Sequence, residues 1–469
     1  MFQRIDLPAF LPDQSINSGV VILAENVLRA ADGYRPMRQF LTNSTALPET
    51  FNGGAAFIST AGTSYLLAGT TAKLCRYSAG GWVNLLTGLT VTQRWRFAQF
   101  GDFAVAVNGG ATKVVDLNAG TAGDLTGAPT GTSIAIVGDY VVIGQAGGDI
   151  LLVQWSGFND HTEWTAGVNQ SGFQPMLTGG EVMGLSGGEF GVILQRERLV
   201  RMSRTGGADA PFAFDEITPN VGCASKGSIA QQGRSVFFLA DRGFMACEDG
   251  QLPVPIGNEK IDRWFQSEVP RDEWARIYSA VDPRNTMVWW FLPGSPGKAW
   301  GYNWTLTEWS YGTFSTDGVF SGYTSSIDTD NTGITNIDAD PTATLDDPRW
   351  SGGAPRLFVV QSGQIGTMEG PPLQARIWMG FVEFSKDLVS RLRSVRPVGD
   401  MTSASCVLDC RQRLGDAENL RTCGDLRLSG IMPVRASGKY VATRLTVPAS
   451  HQWSYIRAFE YEIEPGGTR

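Results

Sequence analysis

Few patterns in this chain combine residue types and spacing in a way that supports catalysis. Residues Gly184–Gly188 match the G-x-S-x-G pattern of a serine nucleophile. That chemistry needs a strand-to-helix turn and a histidine that accepts the serine proton. Here a strand-like segment follows, and the chain has only two histidines, His161 and His451. The pattern therefore favours a hairpin turn over a nucleophile.

Two other groups contain the residue types of metal ligands. Residues Asp328–Gly333 resemble the start of an EF-hand loop, but the twelfth position is Ala339, where a bidentate glutamate is required. We expect the Asp-rich segment 325–348 to be a solvated loop, and whether it binds a cation stays open. Cys406, Cys410 and Cys423 lack zinc spacing and a fourth ligand. We predict no metal site and no cofactor.

Arginines form two clusters that could contact phosphate groups. We predict these residues as DNA-channel or assembly contacts: Arg196, Arg198, Arg201, Arg204, Arg391, Arg393 and Arg396. A solvated rim or a set of intersubunit salt bridges is the more common arrangement of such charges, and both alternatives stay open.

Sequence patterns of known propeller enzymes are also incomplete. Residues Ser315–Gly318 begin like the Asp box of sialidases, but the glycine is misplaced and the tryptophan is missing. The chain has no P-loop, no G-x-G-x-x-G and no H-E-x-x-H pattern. We therefore expect a protein that is not an enzyme.

The scaffold that would position a functional site is predicted by an apolar segment that recurs along the chain. Residues Gly101–Gly110 form an apolar run between a Gly-Asp turn and an Asn-Gly-Gly turn, which predicts a buried strand. Similar units are Gly62–Gly69, Gly138–Gly144, Gly188–Leu194, Gly233–Leu239 and Arg284–Phe291. An irregular repeat of roughly 40–50 residues is typical of β-propeller blades.

The predicted fold is all-β, with three parts. Residues 1–50 form an extended N-terminal arm that packs on the body or on a neighbour, with one helix-like patch at Val20–Ala31. Residues 51–370 form a β-propeller of six or seven irregular blades, in which Gly257–Ser267 is the best helix candidate. After a hinge at Pro371 and Pro372, residues 371–469 form a β-sandwich-like module.

Composition excludes several classes of protein. The chain has 469 residues, a net charge of −8 and 57 glycines. No global positive field attracts nucleic acid, and no apolar run is long enough for a transmembrane helix. The N-terminus lacks a signal-peptide pattern, and the six scattered cysteines do not form a disulfide framework. We expect folding in a cytosol.

The order of several segments resembles the tail hub or nozzle proteins of short-tailed bacteriophages, also called packaged-DNA stabilization proteins. Residues Asn26–Pro36 are similar to an early family motif that ends in G-Y-R-x-x-P-G-F, although the stretch that continues to Phe40 lacks the usual last glycine. The other similar segments are Val182–Gln195, Leu199–Gly206, Phe214–Ile217, Gly222–Ile229, Phe237–Gly243, Thr344–Trp350, Gly438–Arg444 and Glu462–Gly466.

The resemblance implies a structural virion protein, assembled in the host cytoplasm and located in the tail. Such proteins form a homohexameric ring below the portal and adaptor, continue the DNA channel, retain packaged DNA and hold fibre or spike proteins. Contact with double-stranded DNA would be independent of sequence. A negative net charge is consistent with such a conduit, because cationic walls would hold the passing duplex through many phosphates.

The alternative is a carbohydrate-active or glycan-binding propeller. An enzyme of that kind would need two inward carboxylates about 5–10 Å apart. A glycan receptor would use exposed tryptophans, for which the candidates are Trp155, Trp164, Trp289, Trp290 and Trp309.

Overall fold

The computed structural model describes residues 2–78, 80–207, 210–323, 355–385 and 388–465. Their strands form six four-stranded sheets, one nine-stranded sheet and one six-stranded sheet. Helices are few within these ranges, and none is long and apolar enough to cross a membrane. The predicted all-β class is confirmed. The EF-hand-like stretch and the whole of 325–348 lie outside the described residues.

The first 42 residues contribute strands to three different sheets. These strands are β1 (Phe2–Asp6), β2 (Val21–Glu25), β3 (Val27–Ala30), β4 (Gly33–Pro36) and β5 (Leu41–Thr42). The predicted helix-like patch at Val20–Ala31 is wrong, because it covers β2 and β3. Strand β2 lies between two other strands of the nine-stranded sheet. A central strand is apolar on both faces, so a short apolar run does not distinguish it from a helix.

Blades 1 to 5 are antiparallel four-stranded meanders that follow one another along the chain. Blade 1 contains β6 (Phe51–Ile58), β7 (Ser64–Thr70), β8 (Leu74–Ser78) and β9 (Gly81–Leu86). Blade 2 contains β10 (Arg96–Phe100), β11 (Phe103–Val107), β12 (Lys113–Asp116) and β13 (Ala122–Asp124). Blade 3 contains β14 (Ser133–Val137), β15 (Tyr140–Gly144), β16 (Leu152–Trp155) and β17 (Gly172–Pro175).

The next two blades have the same arrangement. Blade 4 contains β18 (Val182–Ser186), β19 (Gly191–Gln195), β20 (Leu199–Arg204) and β21 (Phe212–Thr218). Blade 5 contains β22 (Ala230–Gln232), β23 (Ser235–Ala240), β24 (Gly243–Glu248) and β25 (Val254–Pro255).

Two further blades complete the ring. The shared blade, named because its sheet continues beyond the propeller, contains β26 (Tyr278–Asp282), β27 (Met287–Leu292), β28 (Gly294–Asn303) and β29 (Glu308–Thr316). The closing blade contains β30 (Gly318–Tyr323), β31 (Pro355–Gln361), β32 (Gln364–Thr367) and, as its outermost strand, β5 from the N-terminal segment. First-strand contacts join β6 with β10, β10 with β14, β14 with β18, β22 with β26, β26 with β30 and β30 with β6. Between blades 4 and 5 the Gly187 N–H donates to the side-chain oxygen of Gln231 at 3.0 Å, so the ring is closed. The predicted propeller is confirmed.

The recurring apolar unit is the second strand of blades 1 to 5 and of the shared blade. Units at Gly101–Gly110 and Gly138–Gly144 contain β11 and β15, whose residues are almost all buried. Gly101 and Gly138 each have a φ of 56° at the turn from the first strand to the second. Glycine adopts this left-handed conformation without steric cost. The repeat in the sequence is therefore a repeat of hairpin turns.

The C-terminal module begins after the closing blade. Its strands are β33 (Ala375–Glu383), β34 (Ser390–Gly399), β35 (Ser405–Arg411), β36 (Leu420–Thr422), β37 (Met432–Gly438), β38 (Tyr440–Val447) and β39 (Ile456–Pro465). Strands β33, β38, β35 and β36 extend the shared blade through β2 into the nine-stranded sheet. Strands β39, β34 and β37 join β1, β3 and β4 in the six-stranded sheet. Contacts of β35 and β36 with β37 bring the two sheets into a near-closed barrel.

The predicted helix at Gly257–Ser267 is confirmed as α1 (Asp262–Glu268), which lies between blade 5 and the shared blade. The Asp13 carboxylate accepts hydrogen bonds from the backbone N–H groups of Arg263 and Trp264, at 3.0 and 2.7 Å. These N–H groups have no partner inside the helix, so the N-terminal segment caps it.

Asp262 is a buried carboxylate beside this cap. It accepts a hydrogen bond of 3.1 Å from the backbone N–H of Phe244. Burial raises the pKa of Asp262 to about 6, and the charge of Asp13 adds to the shift. The folded state favours the protonated carboxyl. The contribution of Asp262 to the free energy of unfolding is therefore lowest above pH 6, where the group is ionised in the folded protein.

We expect Asp262→Asn to stabilise the protein at pH 8 by about 3 kcal/mol, the free energy of a shift of two pKa units, and so to raise the melting temperature. At pH 4 the carboxyl is already protonated in the folded protein, so the gain should largely vanish. Thermal unfolding at the two pH values measures the difference. Asp272→Asn, at an exposed position, is the matched control. An equal effect of Asp262→Asn at both pH values would contradict the assignment.

Candidate functional site

Asn26 joins the N-terminal segment, the shared blade and the C-terminal module. Its side-chain amide donates to the Gln374 carbonyl at 2.9 Å, and its side-chain oxygen accepts from the Thr313 N–H at 2.7 Å. Its backbone N–H donates to the Tyr311 carbonyl at 2.9 Å. The residue is buried and has a φ of 58°, a left-handed conformation that asparagine tolerates. One side chain therefore links three parts of the chain.

The β3–β4 hairpin continues this joint and contains the segment Asn26–Pro36. A Cβ atom at Gly33, where φ is 152°, would lie 2.1 Å from the Ile456 carbonyl oxygen of β39. The buried Tyr34 donates its hydroxyl to the Pro8 carbonyl at 2.7 Å. Arg29 pairs with Glu308 and donates to the Leu7 carbonyl at 3.1 Å. The segment that resembles the phage family thus holds the two domains together.

The first predicted arginine cluster does not form one surface. Arg196 and Arg198 lie in the turn before β20, whereas Arg201 and Arg204 lie on the strand. Arg196 pairs with Asp241, Arg198 with Glu216 and Arg204 with Asp139, at 3.0–3.1 Å. The Arg201 guanidinium lies 4.3 Å from the centre of the Phe190 ring. The four side chains therefore contact four different partners.

The second predicted cluster forms one exposed row. Arg391, Arg393 and Arg396 lie on β34, where a register shift near Arg393 keeps all three on the exposed face. Arg393 pairs with Glu464 at 2.7 Å, and Arg396 pairs with Glu460. The neighbouring strand therefore neutralises much of this positive charge. Whether the row contacts DNA or another subunit stays a prediction.

A third group of arginines, which the sequence patterns did not predict, lies in the central channel and has two members. Arg94 and Arg96 flank Trp95 at the start of β10. The Trp95 indole is buried between blades 1 and 2 and donates to the Thr70 carbonyl at 3.0 Å. Because side chains alternate along a strand, the two arginines point the other way, into the channel. An Arg-x-Arg pattern shortly before the Gly101–Gly110 unit was the available signal.

Both arginines reach across the ring axis. Arg94 donates to the carbonyls of Ile277 and Ala275 before the shared blade, and its guanidinium lies 3.7 Å from the centre of the Tyr278 ring. Arg96 donates to the Lys226 carbonyl at 2.8 Å. Burial lowers the pKa of Arg96 to about 10, so it remains a cation at neutral pH. These residues border an axial cavity of about 220 Å³.

The segment Gly222–Ile229 contributes Gly227 to the lining of this axial cavity. A Cβ atom at Gly227 would lie 1.8 Å from the Ile277 carbonyl oxygen. The Ser225 hydroxyl donates to the Trp274 carbonyl at 2.7 Å. The Lys226 ammonium lies 3.4 Å from the Glu181 carboxylate. This lysine is thus paired, whereas within the described residues neither axial arginine has a carboxylate partner.

A larger cavity of about 430 Å³ lies between the β3–β4 hairpin, the shared blade and the closing blade. Its apolar floor includes Trp289 and Phe291. Glu369 pairs with both Arg284 and Arg356 at its rim. Asp282 also lines it, and burial raises the pKa of that carboxyl. The cavity combines two carboxylates with ion pairs and hydrogen bonds that hold the ring closure together.

An open cavity of about 570 Å³ lies at the turns of blades 2 and 3. Asp102 accepts two hydrogen bonds from Thr60, at 2.6 and 2.7 Å. Hydrogen bonds from Thr162 likewise lower the pKa of Asp160. A glycosidase general acid needs a raised pKa. These two aspartates instead stabilise turns in their ionised forms.

The tryptophans considered for glycan recognition are all buried. Trp290 and Trp309 belong to the largest hydrophobic core, and no member of the set is more than 6% exposed. The expectation that they are exposed is therefore wrong. Aromatic packing provides the physical reason: the Trp290 and Phe244 ring centres are 4.5 Å apart in that core.

The remaining chemical patterns have structural roles. Ser186 ends β18 and accepts a hydrogen bond from the Val192 N–H at 3.2 Å, so the predicted hairpin turn is confirmed. Cys406, Cys410 and Cys423 are buried free thiols. Burial raises the pKa of the Cys410 thiol to about 12. Across the described ranges, no group of three or more His, Cys, Asp or Glu side chains is placed to hold a metal ion.

Comparisons with known proteins give structural similarities alone. No protein-family model and no curated protein matches the chain. The extracellular domain of BT4673 from B. thetaiotaomicron, described as part of a hybrid two-component system, matches with a TM-score of 0.42 and 9% identity. The match covers 82% of this chain and 45% of that one, so this chain spans less than half its length.

Two further solved structures are similar at the same level. The WD40 repeats of RRP9 match with a TM-score of 0.38 and 9% identity, over 60% of this chain and 89% of that one. The dihydro-heme d1 dehydrogenase NirN matches with a TM-score of 0.34 and 10% identity, over 86% and 80% of the two chains. Similarities at this level do not extend to function.

Proposed function

We propose that the chain is a structural virion protein, a subunit of the tail hub or nozzle ring of a short-tailed bacteriophage. In this proposal six copies surround the DNA channel below the portal and adaptor, retain packaged DNA and anchor other tail proteins. The role is mechanical and requires no cofactor. The ordered resemblance of segments along the chain is the basis of the proposal.

The joint at Asn26 is the observation that supports it most. The propeller and the C-terminal module share one nine-stranded sheet, with β2 between β29 and β33. A large common core buries residues from both, including Trp290 and Phe459. Proteins whose domains move relative to each other have smaller, more polar domain interfaces. A shared sheet suits a ring wall that carries load.

The size of the axial cavity decides where DNA would pass. At about 220 Å³ the cavity holds a small molecule, whereas the major groove of a duplex alone is about 12 Å wide. A duplex therefore does not fit through the propeller of one subunit. In the proposed assembly the channel lies between subunits, which makes oligomerisation essential to the function.

The experiment is a measurement of mass in solution, combined with electron microscopy of the purified chain. We expect a ring with about six times the 50.7 kDa mass of one chain, or a ring that forms when a portal–adaptor complex is added. A chain that stays monomeric under both conditions would contradict the proposal. A monomer that binds or hydrolyses glycans would instead support the carbohydrate-related alternative.

A further inference from the structure

We propose that the axial cavity of the propeller is a binding site for a small tetrahedral oxyanion, either inorganic phosphate or a phosphate monoester, held between Arg94 and Arg96. The cavity is lined by residues from the inner strands β6, β10, β26 and β30 and by Gly227. The proposal concerns the axis of one subunit and is independent of the ring proposed above.

The two guanidinium groups have more hydrogen-bond donors than the described part of the protein uses. A guanidinium group has five N–H donors. Within the described residues, Arg94 uses its terminal nitrogens for the carbonyls of Ile277 and Ala275, and Arg96 makes one bond, to the Lys226 carbonyl. Most donors of Arg96 therefore remain available. Guanidinium donors have a planar fork geometry that suits the oxygens of phosphate.

The two positive charges of the site have no carboxylate partner among the described residues. Arg94 and Arg96 are partly buried, and the charge of Arg94 destabilises the cationic form of Arg96. Their protein acceptors are neutral carbonyl groups, and in the described ranges no ion pair compensates either charge. Arg196 and Arg204 of blade 4 differ, because each pairs with an aspartate. An uncompensated buried charge is costly, and a bound oxyanion would remove that cost.

Neighbouring aromatic residues hold the two arginine side chains in place. Trp95 is fixed between two blades, so the flanking arginines have a defined direction. The Tyr278 ring packs against the Arg94 guanidinium at 3.7 Å, which limits its rotation. Ser279 and Ser321 also line the cavity, and their hydroxyls donate to the carbonyls of Ile229 and Val281. A volume of about 220 Å³ is below the 300–1,000 Å³ of drug-sized pockets, which favours a compact anion.

The test is thermal unfolding in phosphate against chloride at equal ionic strength and pH. We expect 10 mM phosphate or glycerol phosphate to raise the melting temperature of the full chain by about 2–4 °C, as ligand binding to the folded state requires. Binding of both shows that the oxyanion is sufficient, whereas binding of the ester alone would identify the monoester as the ligand. Either result supports the site if it depends on Arg96.

Arg96→Gln removes the charge and keeps a polar side chain. We expect its melting temperature in chloride to equal or exceed that of the native chain, and its shift in phosphate to be lost. Arg234→Gln is the matched control, because Arg234 pairs with Asp249 at an exposed turn. Phosphorus NMR line broadening of phosphate by the native chain, and its reversal by sulfate, tests binding without any variant. Absence of a phosphate effect in both measurements, or an undiminished shift in Arg96→Gln, would overturn the proposal.

Discussion

Deletion of residues 1–42 is expected to abolish folding of the whole chain. The deletion removes β2 from the centre of the nine-stranded sheet, three strands from the six-stranded sheet and the outer strand β5 of the closing blade. It also removes buried apolar side chains, among them Phe10, Val21 and Val27. Each such side chain stabilises the folded state by about 1.5–3 kcal/mol. Their sum is comparable with the 5–15 kcal/mol net stability of a typical protein.

The measurement is the yield of soluble protein, followed by circular dichroism and thermal unfolding. Deletion of residues 1–6 is the matched control, since it removes only β1, which pairs with β39. We expect that shorter deletion to lower the melting temperature and leave the fold intact. If the chain without residues 1–42 unfolds cooperatively near the native temperature, the N-terminal segment is an accessory arm and the structural role assigned to it is wrong.

Turn chemistry explains why the propeller could be predicted. Gly101 and Gly138 occupy left-handed positions at hairpin turns, and each precedes a buried apolar strand. Such local requirements appear directly in the sequence. The predicted units Gly138–Gly144 and Gly233–Leu239 accordingly overlap β15 and β23. Helix α1 was recognisable for the same kind of reason, because Ile261 and Phe265 are four residues apart and both buried.

Strands that depend on distant partners could not be predicted. Strand β5 has only two residues and is defined by hydrogen bonding to β32, more than 300 residues later. Strand β25 is equally short and contains Pro255. The apolar run Val21–Glu25 is compatible with a helix until its partners β29 and β33 are known. Long-range pairing, not local preference, determines these elements.

The same distinction applies to the arginines. Spacing in the sequence grouped Arg196 with Arg204, but a strand of blade 4 carries them to opposite ends, where Asp241 and Asp139 pair with them. Arg94 and Arg96 have distant partners only because the ring brings the backbone before the shared blade to Arg94 and the backbone before blade 5 to Arg96. Clustering in the sequence therefore predicted clustering in space for Arg391, Arg393 and Arg396 on β34, but not for Arg196 and Arg204.

Substitution of Asn26 by alanine should cause the largest loss of stability of any single change considered. The Thr313 N–H and the Gln374 carbonyl would both lose their partner in a buried joint. Each unsatisfied buried group costs about 1–3 kcal/mol. Alanine at a φ of 58° costs about 1–2 kcal/mol more than asparagine or glycine would. We expect a loss of about 3–5 kcal/mol, measured by urea unfolding followed through tryptophan fluorescence.

Two matched variants separate these contributions. Asn26→Gly accommodates the backbone conformation but lacks the side-chain hydrogen bonds. Its loss of unfolding free energy should therefore be smaller than that of Asn26→Ala, and the difference should equal the cost of placing alanine in the left-handed conformation. Asn258→Ala, at an exposed position, should be close to neutral. If Asn26→Ala unfolds within about 0.5 kcal/mol of the native chain, the range expected for surface changes, then Asn26 does not hold the propeller and the C-terminal module together. A substantial loss would show that both domains depend on one buried side chain, as the shared sheet requires.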